Sequence, residues 1–379
     1  MKCIRVTTDK TDYVGLEIFD YLVAYSQWHN DYNHIIDISL GDPEPHAFNI
    51  AFVSMPQTDL LDLDHFDMVI LDNADEAFGR GTEHLYQALF QHHNTYLACN
   101  SVLHPYHSQY NKLHKRIITT MIHWNYHRRT YIDPVYAPSY EYNMSSPAAG
   151  SIIYINGRNR SWREYITQLL QQHASRVPHH NQINNAVVSE TKFAWHEDQH
   201  DTAMRIWCND YLVNNKHNSE PPEQRWPALP AGVASRFGTV QFYDRFFDAF
   251  RHNAVIVYPE STWQNNVLSL TEKSMRCFLH QRWAMPFGGA NIHALFRSQG
   301  FETAWSLLPQ RLQQFDQCLD HKQRWQQQAL AIDWLAEHPE VFDSDRARNI
   351  LLQNKAQCIV WSSPAGKQLW DIINEKTRH

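Results

Sequence analysis

The sequence predicts an α/β protein with two Rossmann-like domains followed by a helical C-terminal segment. In the first half, short apolar runs alternate with amphipathic segments, as in sheets built with right-handed crossovers. A Pro-, Ser- and Tyr-rich stretch at 133–150 interrupts this alternation, which then restarts. The tail beyond Pro309 is rich in Gln, Leu and Trp and favours helices. We therefore expect domains at 1–140 and 151–310 and a helical segment at 311–379.

The elements of the first domain follow from apolar runs and helical spacing. "DMVILDN" is the clearest strand, because its continuous apolar run suits burial on both faces of a parallel sheet. In 13–27, apolar residues recur at helical spacing on one face. The predicted strands are 2–8, 34–39, 49–55, 67–73 and 95–101, and the predicted helices are 13–27 and 82–93.

The second domain repeats the same pattern after the interruption. A strand at 151–156 leads through the polar turn "GRNRS" into a helix at 162–174. The run 284–290 combines a short strand with a glycine turn. The other predicted strands are 185–190 and 253–260, and the other predicted helices are 270–282 and 292–301.

The overall composition predicts a cytoplasmic protein without a membrane span. Hydrophobic residues make up 43%, enough to build real cores. The six cysteines are scattered singly, as expected of reduced intracellular thiols, and the N-terminal residues lack a signal-peptide pattern. A net charge of −7 disfavours nucleic acid as the main partner, although a local basic groove stays possible.

A zinc-peptidase signature is present at His196, Glu197 and His200 but lacks its context. Such a site needs a third ligand on a following helix. Glu220 and Glu223 stand at a suitable distance, but two prolines between them preclude that helix. A polar loop or a helix start is the favoured interpretation, and we predict no metal site.

A stronger pattern is the predicted strand-to-helix turn in "YINGRNRSWREY". Arg158, Arg160 and Arg163 stand at this turn. A helix N-terminus offers unbonded N–H groups and the positive end of the helix dipole, and guanidinium groups add bidentate anion recognition. The turn therefore predicts a phosphate site without a Walker lysine.

The second half of this pattern is in "VYPESTWQNNVLSLTEKSM". A predicted strand ends at Glu260, a loop follows, and Thr271 is a suitable N-cap for the next helix. Glu272 could accept hydrogen bonds from ribose hydroxyls, and Lys273 could supply a charge for a phosphate. A glutamate at a helix start also complements the dipole without any ligand.

A glycine pair ends the next predicted strand. Gly288 and Gly289 follow Pro286 and Phe287, and their missing side chains permit close approach of the backbone to a ligand.

Together these residues resemble the donor-binding region of nucleotide-sugar glycosyltransferases of the GT-B type. The run "LTEKSMRCFLHQRWAMPFGGANIHALFRSQGF" is similar to glycosyltransferase-like proteins of phages and marine bacteria, which share the TEK helix, the "PF" strand and the "GF" pair. It resembles the family-ten fucosyltransferases more distantly. "INGRNRSWREYITQLL" fits the upstream unit, so the resemblance covers about 151–310.

The resemblance implies roles for individual residues. Arg163 matches the arginine that contacts the donor diphosphate, Glu272 the ribose contact and Lys273 the phosphate contact. Glu260 matches the glutamate before the loop, but Ser261 stands where fucosyltransferases keep asparagine. The nucleotide and the sugar therefore stay open.

The resemblance also implies a reaction. The second domain would hold a nucleoside-diphosphate sugar, the first an acceptor such as a glycan or another hydroxyl compound, and transfer would occur in the cleft between them. Arginines and Lys273 would neutralise charge on the leaving diphosphate, so no obligatory cation or further cofactor is expected.

An inverting enzyme would also need a base to deprotonate the acceptor hydroxyl. One base is expected among residues that follow predicted strands of the first domain: Asp9, Asp12, Asp72, Asp75, Glu76 and His104.

Two alternatives stay open. The basic and aromatic run at 114–129 could serve a sugar transferase acting on DNA, as in phages, although an amphipathic helix with a solvated basic end is the favoured interpretation. The chain could also be a catalytically inactive glycosyltransferase-like binding module, because Ser261 departs from the family pattern and no base stands out.

Overall fold

The structure is a computed structural model of the 379-residue chain. It describes residues 2–8, 36–54, 65–73, 94–99, 101–103, 116–120, 148–154, 161–174, 253–260, 263, 267–361 and 364–376. The chain divides into two compact units. The first comprises Met1–Arg129, Gln264–Glu272 and Trp361–His379, and the second comprises Thr130–Trp263 and Lys273–Val360.

Eleven strands and seven α-helices fall within the described ranges. The strands are β1 Lys2–Thr8, β2 Ile36–Leu40, β3 Phe48–Ser54, β4 Met68–Asn73, β5 Thr95–Cys99, β6 Ser101–Leu103, β7 Ile117–Thr119, β8 Ala148–Tyr154, β9 Asn253–Pro259, β10 Val267–Ser269 and β11 Trp283–Phe287. The helices are α1 Ser161–Ala174, α2 Glu272–Leu279, α3 Ile292–Ser298, α4 Gln310–Gln313, α5 His321–Glu337, α6 Asp345–Val360 and α7 Pro364–Lys376.

The first unit contains a six-stranded parallel sheet with the order β2-β1-β3-β4-β5-β7. Its central strands are buried on both faces, since neighbouring residues such as Val69 and Ile70 are both inaccessible to solvent. This confirms the prediction for the apolar run of β4, because strands covered on both sides need no polar alternation. In the same unit, β10 pairs antiparallel with β6.

Helix α7 belongs to the first unit and covers one face of its sheet. Leu369, Trp370 and Ile373 pack in one core cluster with Ile4, Phe52 and other strand residues. The Gln368 side chain accepts a hydrogen bond of 2.8 Å from the Thr119 amide of β7. The last helix is therefore a core element of the first unit.

Replacing Leu369 by alanine should lower the free energy of unfolding of the first unit by about 2–5 kcal/mol, because a fully buried leucine leaves a cavity. Urea titration followed by circular dichroism measures this. The same substitution at Leu330, which is 51% exposed, should change stability by about 0.5 kcal/mol or less. Equal effects of both substitutions would contradict the packing of α7 on the sheet.

The second unit contains a three-stranded parallel sheet with the order β11-β9-β8. Its core is aromatic: Trp162 of α1 stacks on Trp325 of α5 at 5.9 Å between ring centroids, and Tyr165 lies at the same distance from Trp325. The core cluster includes Trp283 and Phe287 of β11. Helix α5 is thus built into the core of this unit.

Several predicted boundaries differ from the structure for local reasons. Strand β8 begins at Ala148, inside the stretch expected to be a linker. Helix α2 ends at Leu279 because Gln281 takes a left-handed conformation (φ 54°), and the Gln281 and Arg282 amides bond back to the carbonyls of Phe278 and Cys277. Gly300 (φ 84°) ends α3 in the same way. Both ends are Schellman motifs.

The predicted helices 13–27 and 82–93, the strand 185–190 and the peptidase-like signature at 196–200 lie outside the described residues. Among the helices that the structure describes, none combines the length and the apolar character needed to cross a membrane.

Candidate functional site

Of the residues singled out in the second half of the sequence, Glu260, Gly288 and Gly289 stand at the carboxyl end of the second unit's parallel sheet. Glu260 follows β9 directly and is fully buried, and its amide donates a 2.8 Å hydrogen bond to the carbonyl of Phe287, the last residue of β11. Gly288 and Gly289 come next, so the ends of both strands lie side by side. Ligands of open parallel sheets bind at this edge.

Arg163 reaches Glu260 from the neighbouring β8–α1 crossover. Its side chain is 3% exposed, and Nη2 donates a 2.7 Å hydrogen bond to the Glu260 carbonyl. The Arg163 carbonyl accepts from the hydroxyls of Thr167 (3.0 Å) and Tyr154 (3.3 Å). Arg163 therefore holds the backbone at the end of β9, a contact that the sequence pattern did not indicate.

Helix α2 supplies the third part of this edge. The Ser274 hydroxyl donates to Oε1 of Glu260 at 3.4 Å, and Lys273 beside it is half-buried in the first turn of the helix. Thr271 is buried immediately before the helix. Glu272 is the first helical residue, and its side chain lies outside the described part of the chain.

The glycine turn lets α3 approach β11 closely. A Cβ atom at Gly288 would lie 3.3 Å from Cγ1 of Ile292, tighter than ordinary side-chain packing. Between them Asn291 adopts a left-handed conformation with φ 66°. The structure thus gives Gly288 a packing role alongside the predicted approach to a ligand, and Gly289 is buried beside it.

The amide end of α3 is capped by Asp316 from the 3₁₀ turn Gln314–Gln317. Its carboxylate accepts hydrogen bonds of 3.1 Å from the amides of His293 and Ala294, and its carbonyl accepts from the Asn291 amide at 2.5 Å. Burial raises the pKa of Asp316 to about 6, although these bonds act against the rise. The amides in the first turn of α3 therefore already have hydrogen-bond acceptors within the protein.

Burial also holds two titratable groups in and just after α2 in their neutral forms. It raises the pKa of the Cys277 thiol in α2 well above its usual value, so this thiol is not a nucleophile at neutral pH. It lowers the pKa of His280 to about 3, with help from Arg282, Arg276 and Lys355. Neither Cys277 nor His280 therefore carries a charge at neutral pH.

Part of the predicted site lies outside the described residues. Asp72 lies near the carboxyl end of β4, in register with Ser54 and Ala98, and its side chain lies outside the described residues. Also outside them are Asp9, Asp12, Asp75, Glu76, His104, Arg158, Arg160 and Ser261. Over the ranges that the structure covers, no group of three or more His, Cys, Asp or Glu side chains could hold a metal ion.

Two residues of this edge escaped prediction from the sequence. Ser274 directly follows Lys273 and could have been found as the next residue of the same helical turn. Asp316 stands more than twenty residues after the amides that it caps, and no local pattern links an aspartate to amides so distant in the chain.

Comparison with known proteins found a likeness among solved structures. No protein-family model matches the sequence, and no curated protein matches it. Among solved structures the chain is similar to a crystal structure of α1,3-fucosyltransferase with GDP-fucose. The identity is 10%, the alignment covers 94% of this chain and 83% of that one, and the TM-score is 0.33. This score is too low to carry an argument about fold or function.

Proposed function

We propose that this protein is a glycosyltransferase that moves a sugar from a nucleoside-diphosphate sugar to an acceptor hydroxyl. One observation carries the proposal. Three separate segments of the sequence resemble parts of a nucleotide-sugar site, and two of them contact Glu260 in the third. Arg163 bonds the Glu260 carbonyl and Ser274 its carboxylate. They do so at the sheet edge where parallel α/β units bind ligands.

The proposed donor site uses fixed positive charge. Lys273 lies in the first turn of the eight-residue helix α2, beside the amide end of that helix. Together with Arg158, Arg160 and Arg163 they would stabilise the negative charge that grows on the leaving diphosphate. Glu272 would bind the ribose. The proposed mechanism needs no obligatory cation.

The acceptor would be a glycan or another hydroxyl compound, bound by the first unit. Its hydroxyl must lose a proton as the bond to the sugar forms. We propose that one of Asp12, Asp72, Asp75, Glu76 or His104 accepts this proton. The GT-B architecture itself is part of this proposal.

A thermal-shift panel with UDP, GDP, CDP, ADP and dTDP tests the donor site. One diphosphate, at about a hundredfold excess over its Kd, should raise Tm by about 5 °C or more, with and without EDTA. Lys273→Ala should remove most of this shift, because it deletes the phosphate charge.

The matched control is Lys322→Ala, which deletes an exposed lysine of α5 and should leave the shift unchanged. If no diphosphate stabilises the wild type, the proposed function is wrong. A stabilising diphosphate without hydrolysis of the corresponding nucleotide sugar would instead indicate a binding module, and binding to DNA at moderate salt would favour a DNA-modifying transferase.

A further inference from the structure

Trp263, three residues after Glu260, is held in the core of the second unit by helix α5. Its side chain is 2% exposed. Its ring meets His321 edge to face at 4.4 Å between centroids and Trp325 at 6.5 Å. Edge-to-face pairs fix the orientation of a ring as well as burying it. The ring therefore anchors the chain three residues after Glu260, where the contacts of the proposed donor site converge.

The backbone of Trp263 is held as firmly as its ring. Arg324, which is 1% exposed, donates from Nη2 to the Trp263 carbonyl at 3.2 Å and to Nδ1 of His321 at 2.9 Å. Its Nη1 donates to the Cys318 carbonyl at 2.7 Å. Since a guanidinium has donors only, Nδ1 of His321 acts as the acceptor.

These bonds join the segment after β9 to the turn that caps α3 through one side chain. Cys318 follows directly the 3₁₀ turn whose Asp316 caps α3, the helix after β11, whereas Trp263 lies beyond the end of β9. One turn along α5, Gln328 donates from Nε2 to the Pro286 carbonyl of β11 at 2.8 Å. Through Arg324 and Gln328, α5 thus bonds the backbone of β11, of Trp263 after β9 and of Cys318 after the capping turn.

Stability alone is a poor reason for this arrangement. Burying a guanidinium has a large desolvation cost, which the nearby Asp316 and Asp320 carboxylates offset in part, and apolar side chains could fill the same space. The planar fork instead supplies several donors in fixed directions, which a lysine cannot do. What Arg324 adds is therefore directional control of the backbone.

We propose that Arg324 is a positioning residue of the donor site: it fixes the backbone of Trp263, three residues after Glu260. This inference rests on the proposed function. Arg324 itself does not touch the nucleotide sugar. It acts through Trp263 and through the turn that carries Asp316.

The test combines a spectroscopic signature with binding. In protein labelled with 5-fluorotryptophan, the Trp263 resonance is assigned by its loss in Trp263→Phe. Arg324→Lys should move this resonance, because the Trp263 ring no longer keeps its place against His321. Titration calorimetry with UDP, GDP, CDP, ADP and dTDP should show Kd raised about tenfold or more for the diphosphate that binds the wild type. Arg311→Lys, the same change at an exposed residue of α4, should alter neither.

The outcomes separate this inference from the proposed function. An unmoved Trp263 resonance in Arg324→Lys, or a moved resonance with unchanged affinity, would overturn the positioning role while leaving the proposed function intact. Absence of binding by the wild type would overturn both. If Arg324→Lys does not fold, His321→Ala serves instead. It removes the ring contact and one acceptor of Arg324, and should move the resonance and weaken binding in the same direction.

Discussion

An Arg163→Met variant is expected to lose about 2 kcal/mol of unfolding free energy and to bind its nucleoside diphosphate about tenfold or more weakly. The stability loss follows because methionine leaves the buried Glu260 carbonyl without its charged donor. The binding loss follows because the end of β9 is then no longer held against α1 and because a positive charge is removed. Denaturant titration and calorimetry on the same samples measure the two effects.

The control for this prediction is Arg311→Met, which makes the same change at an exposed position of the same unit and should shift stability by about 0.5 kcal/mol or less. Arg163→Lys distinguishes charge from geometry. It keeps the charge but shortens the reach, so it should recover part of the affinity and little of the stability. Wild-type stability in Arg163→Met would show that the bond to Glu260 contributes nothing.

The second unit is expected to be about 3 kcal/mol less stable at pH 5 than at pH 7. Two buried histidines cause this. Burial, assisted by Arg297 for His293, lowers the pKa of both His280 and His293 from 6.5 to about 3. Below pH 6.5 these two histidines bind protons in the unfolded chain but not in the folded chain, so stability is lost as the pH falls from 6.5 towards 3.

One carboxyl group acts in the opposite direction. Burial raises the pKa of Asp316 from 3.8 to about 6, so its contribution is fully present below pH 3.8 and is lost as the pH rises through 6. Relative to pH 7, each histidine lowers the free energy of unfolding at pH 5 by about 2 kcal/mol, and Asp316 raises it by about 1 kcal/mol. The histidines therefore decide the sign.

Urea titrations at both pH values test this balance. In the double variant His280→Gln/His293→Gln the stability difference between pH 7 and pH 5 should vanish or reverse, because Asp316 then acts without opposition. His46→Gln, at an exposed position of the first unit, should leave the difference unchanged. A wild type equally stable at both pH values would contradict the assignment of neutral, buried histidines.

The arrangement around Glu260 also explains why single substitutions at this edge should affect stability and binding together. Arg163, Ser274 and the amide of Glu260 are bonded to other parts of the second unit, and all three bonds meet at one residue. A site built from such bonds is rigid before any ligand arrives, and preorganised charge is the most effective way to stabilise a leaving group. The same bonds make these positions costly to change.

Local patterns in the sequence were sufficient for most strands that the structure describes. The continuous apolar run of β4 and the restart of the pattern at β8 predicted parallel strands, because burial on both faces removes polar alternation. The short strands β6 and β10 were not predicted, since three residues carry no periodicity. The favoured helix at 114–129 was wrong at Ile117–Thr119, because these residues form the buried strand β7. The ends of α2 and α3 were misplaced because Gln281 and Gly300 stop each helix through backbone conformation, which apolar spacing does not encode.

The sequence by itself determined the alternation of strands and helices and the types of residue that could bind a diphosphate, because both depend on local spacing and on side-chain chemistry. Tertiary structure alone decided that Arg163 bonds the Glu260 carbonyl, that Asp316 caps α3, that α7 joins the first unit and that Arg324 holds Trp263. The partners in these contacts are far apart in the chain. Their pairing depends on how whole elements pack, and no local sequence pattern indicates it.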